Sequence, residues 1–395
     1  MAKIRGVTPG SVGEVLAIFR DGQPHTKQDL IALTGLARST VTARVDVLHD
    51  AGLIVAAGEA ASSGGRPSVQ LAFNASARVI VAIELTASRA HVGVCDLAGN
   101  VLATDASDIS ISAGPIAVLD WAVSASHGLL RQLGRRSADV LGVGVGVPGP
   151  VEYSTGRPSK PQIMPGWDGF DIPAYVSTRL AEPVMVDNDV NLLAVGERAI
   201  HWPDVDDLLF VKVSTGIGAG IISGGQLQRG ALGTAGDIGR VQVPRTANST
   251  RDPRDERDLE SLASGSALAA ELGTATRPLA DVSALVAALR RGERDVIAAV
   301  RQSGRNIGEV VAIMVNVLNP SLIVVGGRLG VTGEELLAGI REVVYQRSTP
   351  LATQHLQIVQ SAADTLGGLR GAAQIVLDSV LAPEHVDQAI DRMRS

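Results

Sequence analysis

Apolar residues recur at helical spacing through Val12-Gly13-Glu14-Val15-Leu16-Ala17-Ile18-Phe19, and the run stops at Asp21-Gly22. Thr26, with Asp29 three residues on, is an N-terminal capping signal for a second short helix that ends near Thr34-Gly35. A third helix follows, with Leu36, Val41, Val45 and Leu48 on one face and Arg38, Ser39, Thr40, Thr42 and Arg44 on the other. The period then changes from 3.6 to 2. Ala51-Gly52-Leu53-Ile54-Val55 and Val69-Gln70-Leu71-Ala72-Phe73 flank a glycine-rich polar tip, Ser62-Ser63-Gly64-Gly65-Arg66-Pro67, and read as a β-hairpin.

Short helices joined by a glycine-containing turn match a helix-turn-helix, whose second helix enters the DNA major groove. The hairpin is then a wing, its Gly65 and Arg66 reaching a minor groove or phosphates. A winged helix-turn-helix over residues 1–75 is expected. Arg38, Ser39, Thr40, Thr42 and Arg44 form its DNA-facing surface, and the short polar joint Asn74-Ala75-Ser76-Ala77 couples this head closely to the body.

The rest of the chain alternates strand-like and helical runs. Strands are expected at residues 79–85 and 90–95 and from Val101, a helix at about 116–133, and a glycine-rich strand at 140–147. Gly144, Gly146 and Gly149 make a formal GxGxxG, but Pro148 and Pro150 stand where a dinucleotide-binding helix should open. Val186-Asp187-Asn188-Asp189-Val190-Asn191 ends an apolar run at a helix start, a common ligand position in α/β folds. It mimics an EF-hand opening, yet Leu192 replaces the required glycine and Arg198 the bidentate glutamate, which excludes calcium. Val213-Ser214-Thr215-Gly216-Ile217-Gly218-Ala219-Gly220 reads as a hairpin whose tip offers backbone N–H groups and two hydroxyls to a phosphate. No GxxxxGK[ST] exists in the chain. Asn319-Pro320-Ser321-Leu322-Ile323-Val324-Val325-Gly326-Gly327 is a buried strand ending in a glycine pair suited to a flat ring.

Composition narrows the class. At 395 residues and 45% hydrophobic, the chain can bury large cores in two or three domains. Residues 1–80 carry eight basic and six acidic side chains within a net charge of −6, so a mildly basic head sits on an acidic body. Cys95 is alone and reads as a small buried hydrophobe. The first residues lack the apolar stretch of a signal peptide, and no window approaches 18 uncharged apolar residues. A cytoplasmic protein without membrane contact is expected.

The order of these segments closely resembles the ROK family (repressors, open reading frames, kinases), specifically its sugar-responsive DNA-binding regulators of the xylose-repressor type. The resemblance runs from the Ser62-Ser63-Gly64-Gly65-Arg66-Pro67 wing to Gly367-Gly368-Leu369-Arg370-Gly371-Ala372-Ala373. It implies an α/β class: the winged helix-turn-helix followed by an actin-like ATPase (ribonuclease H-like), two-lobed sugar-kinase fold. Lobe I would span 78–190, completed by a C-terminal helix within 366–395, and lobe II 191–365. By position, Asp189 corresponds to the base that takes a sugar hydroxyl proton, with Asn188 beside it, Asp237 and Glu260 gripping hydroxyls, and Gly149 and Gly166-Trp167 lining the same pocket. Glu84, Thr86, Ser214, Thr215, Gly216, Gly218, Gly220, Gly326 and Gly327 fall on nucleotide-binding segments.

Three departures qualify the kinase reading. The family's first phosphate loop, Asp-x-Gly-x-Thr-Lys, is Glu84-Leu85-Thr86-Ala87-Ser88-Arg89 here, which weakens placement of Mg-ATP, and phosphoryl transfer depends on placement. Arg240 replaces a zinc-ligating histidine, and residues 241–258 contain no cysteine or histidine, so no metal site is expected. Arg240 itself either meets an acidic or phosphorylated ligand or pairs with Asp237. The expected function is a regulator, in keeping with a repressor, that binds operator DNA and a sugar effector as a homodimer or dimer of dimers. The alternatives are an active ATP-dependent sugar kinase with a DNA head, and a DNA-binding protein with a purely structural body.

Overall fold

Three helices open the chain, Val12–Phe19, Lys27–Thr34 and Arg38–Asp50, followed by the antiparallel pair Ile54–Glu59 and Val69–Phe73. The computed structural model describes residues 10–59, 68–243, 257–363 and 365–394. Thr26 and Asp29 make the reciprocal capping box that the sequence suggests, and Gly35 ends the second helix at φ 71°. Val41, Val45 and Leu48 are buried against Val15, Leu16, Phe19 and Leu30, so the third helix keeps its opposite face outward. Gly65 and Arg66 lie outside the described residues, as does 244–256.

Two five-stranded sheets follow, and both have the same topology. In the first, Val101–Ser107, Ala90–Asp96 and Val79–Leu85 form an antiparallel meander, continued in parallel by Val140–Val147 and Val184–Asn188. In the second, Gln226–Leu227, Ile217–Ser223 and Leu208–Val213 form the meander, continued in parallel by Leu322–Gly326 and Gln357–Gln360. Parallel strands are covered on both faces and read as unbroken apolar runs, as Leu322-Ile323-Val324-Val325 does.

Two helices lie between the sheets. Gly367–Val380 packs on the first sheet, where a Cβ on Gly144 would stand 2.0 Å from the Ala372 carbonyl oxygen. Asp189–His201 packs on the second, with Val190 and Ala194 against Leu208 and Phe210. The two helices touch each other backbone to backbone. A Cβ on Gly371 would sit 1.8 Å from the Leu192 carbonyl oxygen, and one on Gly196 2.4 Å from that of Gly367. Only glycine allows that approach. On the outer faces, Pro115–Gln132 covers the first sheet and Arg294–Leu318 the second.

The head is fused to this body. Asn74 bonds back to the head through the carbonyls of Leu53 and Gly52 (2.8 Å each), while Leu97 N–H donates to the Ala75 carbonyl at 2.9 Å. The last helix, Pro383–Arg394, follows Gly367–Val380 and docks on the first head helix. Gly13 N–H donates to Asp387 Oδ1 at 2.9 Å, and a Cβ on Gly13 would meet the Pro383 carbonyl oxygen at 2.2 Å. One apolar cluster accordingly runs from Val15 and Leu16 through Val386 and Ile390 to Leu369 and Ala372. No helix among the described residues is long and apolar enough to cross a membrane.

In a helix interior, alanine ordinarily stabilises by about 1 kcal/mol over glycine. Gly371→Ala is expected to do the reverse, because its Cβ meets backbone that cannot swing aside, lowering unfolding free energy by about 1–3 kcal/mol. Denaturant titration measures it; a gain in stability contradicts this packing.

Candidate ligand cleft between the lobes

A cleft of about 1370 Å³ opens between the two sheets, at the ends of their central strands. Its floor is built where the strand Val184–Asn188 turns into the helix Asp189–His201. Asn188 is that helix's N-cap: its Oδ1 accepts from Val190 N–H at 2.9 Å, and its Nδ2 donates to the Gly149 carbonyl at 2.9 Å. Asp187 is buried and accepts from three donors: Arg229 Nε (2.7 Å), Asn191 Nδ2 (2.7 Å) and its neighbour's backbone N–H (2.8 Å). The Arg229 guanidinium also lies 3.9 Å from the centre of the Tyr153 ring.

Asp189, 3% exposed, forms an ion pair with Lys212. Burial pushes its carboxyl above the ordinary carboxylate range, and the Lys212 ammonium acts against that push. Glu84 lies near enough to add to the rise, and it stands 3.9 Å from His91. On the opposite wall, Glu260 Oε2 accepts from Ile217 N–H at 2.9 Å. A Cβ on Gly216 would fall 2.4 Å from that same oxygen, so glycine is required for the carboxylate to reach the loop.

The cleft brings together Glu84, Thr86, Gly149, Asn188, Asp189, Ser214, Thr215, Gly216, Gly218, Asp237, Arg240, Glu260 and Gly327. Four expected members are elsewhere. Gly166 sits in a turn facing Pro115, and Trp167 is buried with Nε1 donating to the Ile111 carbonyl, so this segment supports the first lobe's core. Gly220 makes room for Ala194, and Gly326 for the Phe210 ring; both are packing positions. The expected pairing of Arg240 with Asp237 is also corrected. Its guanidinium stands 4.0 Å from Asp258 and is half exposed.

A model of the ROK family matches residues 80–379, most of the chain. The chain belongs to the ROK family. Among its relatives, the "Xylose repressor" of Caldicellulosiruptor bescii is 27% identical over 387 residues, covering 94% of this chain and 96% of that protein. A solved structure described as a ROK family transcriptional regulator, homolog of the Escherichia coli MLC protein, superposes with a TM-score of 0.78 at 23% identity. It covers 96% of this chain and 98% of that one. A ROK family glucokinase from Streptomyces griseus, solved with glucose and AMPPNP, gives 0.62 at 24% identity over 75% of this chain and 98% of its own. The mixed α/β body is thus a ROK fold resembling sugar kinases.

The residues fit a metal-bound nucleotide phosphate on one side only. On the second lobe the backbone of Gly216, Gly218 and Gly327 and the hydroxyl-bearing Ser214 and Thr215 line the cleft. On the first, the loop closes on itself: Thr86 N–H and Oγ1 both donate to the Arg89 carbonyl (2.8 and 3.0 Å). There the Glu84 carboxylate lies against Gly368, where a Cβ would stand 2.0 Å from its Oε1. An internal anion therefore fills the helix N-terminus that would otherwise favour a phosphate. A Mg-nucleotide does not fit this wall as it stands.

Sequence reasoning missed Lys212, the Asp187–Arg229–Tyr153 cluster and the docking of the last helix on the head. Lys212 carried a signal: it is the one charge inside the apolar run Leu208-Leu209-Phe210-Val211-Lys212-Val213, and a buried strand charge requires a partner.

Proposed function

We propose that this ROK protein is a sugar-responsive, DNA-binding transcription regulator. A winged helix-turn-helix head reads operator DNA, and the interlobe cleft binds a sugar or sugar derivative. The observation that carries this reading is the third head helix. Its inner face is buried in the apolar cluster shared with the body, while Arg38 and Ser39 stand exposed and Thr40, Thr42 and Arg44 are half buried beside them. The Nε of Arg44 donates to the Gly10 carbonyl at 3.0 Å, so Arg44 braces the start of the first helix and Arg38 is the freer of the two cations.

In this reading Asn188, Asp189, Asp237 and Glu260 receive sugar hydroxyls, and Gly149 positions Asn188. A carboxylate-lined pocket of this kind suits polyhydroxylated ligands. Likeness to a xylose repressor over 94% of the chain, head included, supports the combination of DNA and sugar binding. Homodimers suit it as well, because two heads at fixed spacing match a palindromic operator. Action as a repressor follows the same relatives.

The competing reading, an active sugar kinase with a DNA head, draws on the retained Asp189 and the Ser214–Gly218 loop. The Lys212–Asp189 ion pair and the Glu84-filled first loop weigh against it.

Arg38→Ala is expected to weaken binding to DNA fragments selected by the full-length protein and to lower the salt-dependence slope by about 1, as for one lost phosphate contact. Anisotropy titrations at several salt concentrations measure both; unchanged affinity and slope remove this helix from the interface. In a steady-state assay with ATP, magnesium and a panel of aldoses, ADP release is expected to stay at the sugar-free level. Sugar-stimulated turnover at enzyme-like rates, on the order of 1 per second or more, makes the protein a kinase.

A further inference from the structure

Lys212 occupies an unusual position for a charge. The strand Leu208–Val213 is otherwise buried, and its two-residue period puts Lys212 on the same face as Leu208 and Phe210, which pack against Val190 and Ala194. Its direct neighbours across the sheet are Gly218 on one side and Gly326 on the other, so no side chains crowd its stem. The ammonium emerges on the cleft floor at Asp189, and the side chain as a whole is 19% exposed.

An ammonium has three N–H donors and a carboxylate accepts up to about four hydrogen bonds. Their mutual ion pair therefore leaves both groups with capacity to spare, side by side and facing the cleft. Two neighbouring hydroxyls of a sugar match that arrangement, one donating to Asp189 and one accepting from Lys212. The surroundings favour a neutral ligand. Glu84, Asp189, Asp237 and Glu260 line the cleft as carboxylates. Of the other cations around it, Arg240 stands near Asp258, Arg89 is 3.8 Å from Asp108, Arg328 donates to Ser283 Oγ, and Lys160 is exposed, so the carboxylates outnumber the cations left to meet an anion.

We infer that Lys212 is a specificity-determining residue of the sugar site: with Asp189 it forms one receptor for two hydroxyls of a neutral sugar, and it keeps Asp189 a hydrogen-bond acceptor instead of a proton-removing group. This rests on the sugar-regulator reading and assigns the ligand class and the reader of its hydroxyls. The proton of the bound hydroxyl stays on its oxygen.

The test is binding of D-xylose, D-glucose, N-acetyl-D-glucosamine, D-glucuronate and glucose 6-phosphate to the full-length protein, by calorimetry and thermal shift. The variants are Lys212→Met and the double variant Lys212→Met/Asp189→Asn. The single variant strands a buried carboxylate and is expected to melt lower; the double variant carries no stranded charge and is expected to melt above it. At least one neutral sugar is expected to bind the wild type, the two anions at least about tenfold more weakly, and both variants to lose about tenfold or more for that sugar. A folded variant that binds the neutral sugar as the wild type does overturns the role of Lys212 and leaves the sugar-regulator reading standing. Tighter binding of glucuronate or glucose 6-phosphate overturns the neutral ligand class. Wild-type protein that binds none of the five overturns both the inference and the reading beneath it.

Discussion

The arrangement depends on one close contact, the backbone-to-backbone crossing of helices Asp189–His201 and Gly367–Val380 between the two sheets. Gly196, Gly367 and Gly371 let carbonyls approach where any side chain would collide, so the helices pass at a separation set by backbone alone. Both helices begin at the cleft, one at Asp189 and the other beside Glu84. The separation of the carboxylates on the two lobes is therefore fixed by a contact that cannot relax by rotating a side chain.

Electrostatics then decides what the cleft can do. Asp187 and Asp189 are each 3% exposed, and each is matched by a cation from the second lobe, Arg229 and Lys212. Removing one member of such a buried pair is costly because the other charge is left in a poor solvent. The Asp187–Arg229 pair also ties the last strand of the first sheet to the segment that follows the second sheet's edge strand. Glu84 performs a similar internal substitution by placing its carboxylate against Gly368. On this wall the protein's own side chain occupies the space that a nucleotide phosphate would need.

Much of this was legible in the chain. Capping at Thr26, the face of Val41, Val45 and Leu48, the meander beginning at Val79 and the Ser214–Gly218 tip follow from local periodicity and turn chemistry, which are written in neighbouring residues. Gly166, Gly220 and Gly326 were misjudged for the opposite reason. A glycine that makes room for a ligand and one that makes room for Pro115, Ala194 or Phe210 look alike until the partner is known. The ion pair of Lys212 with Asp189 joins residues 23 positions apart, one on a strand of the second sheet and one opening the helix that packs on it, and the docking of Gly13 on Asp387 spans 374 positions. Neither pairing leaves a periodic trace, although the lone charge in the strand at Lys212 announced that a partner existed.

From the cleft to the head the contacts are continuous: Gly367–Val380 leads into Pro383–Arg394, which packs on the first head helix and shares its apolar cluster. Coupling between two sites is a free energy, and the ligand must favour one arrangement of that path over another. The most direct test is an anisotropy titration of protein-selected genomic DNA with the full-length protein, with and without a saturating sugar shown independently to bind. With the sugar bound, DNA affinity is expected to change by about fivefold or more. Superimposable curves with the sugar bound would contradict that coupling, leaving a DNA-binding head and a sugar-binding body that do not communicate.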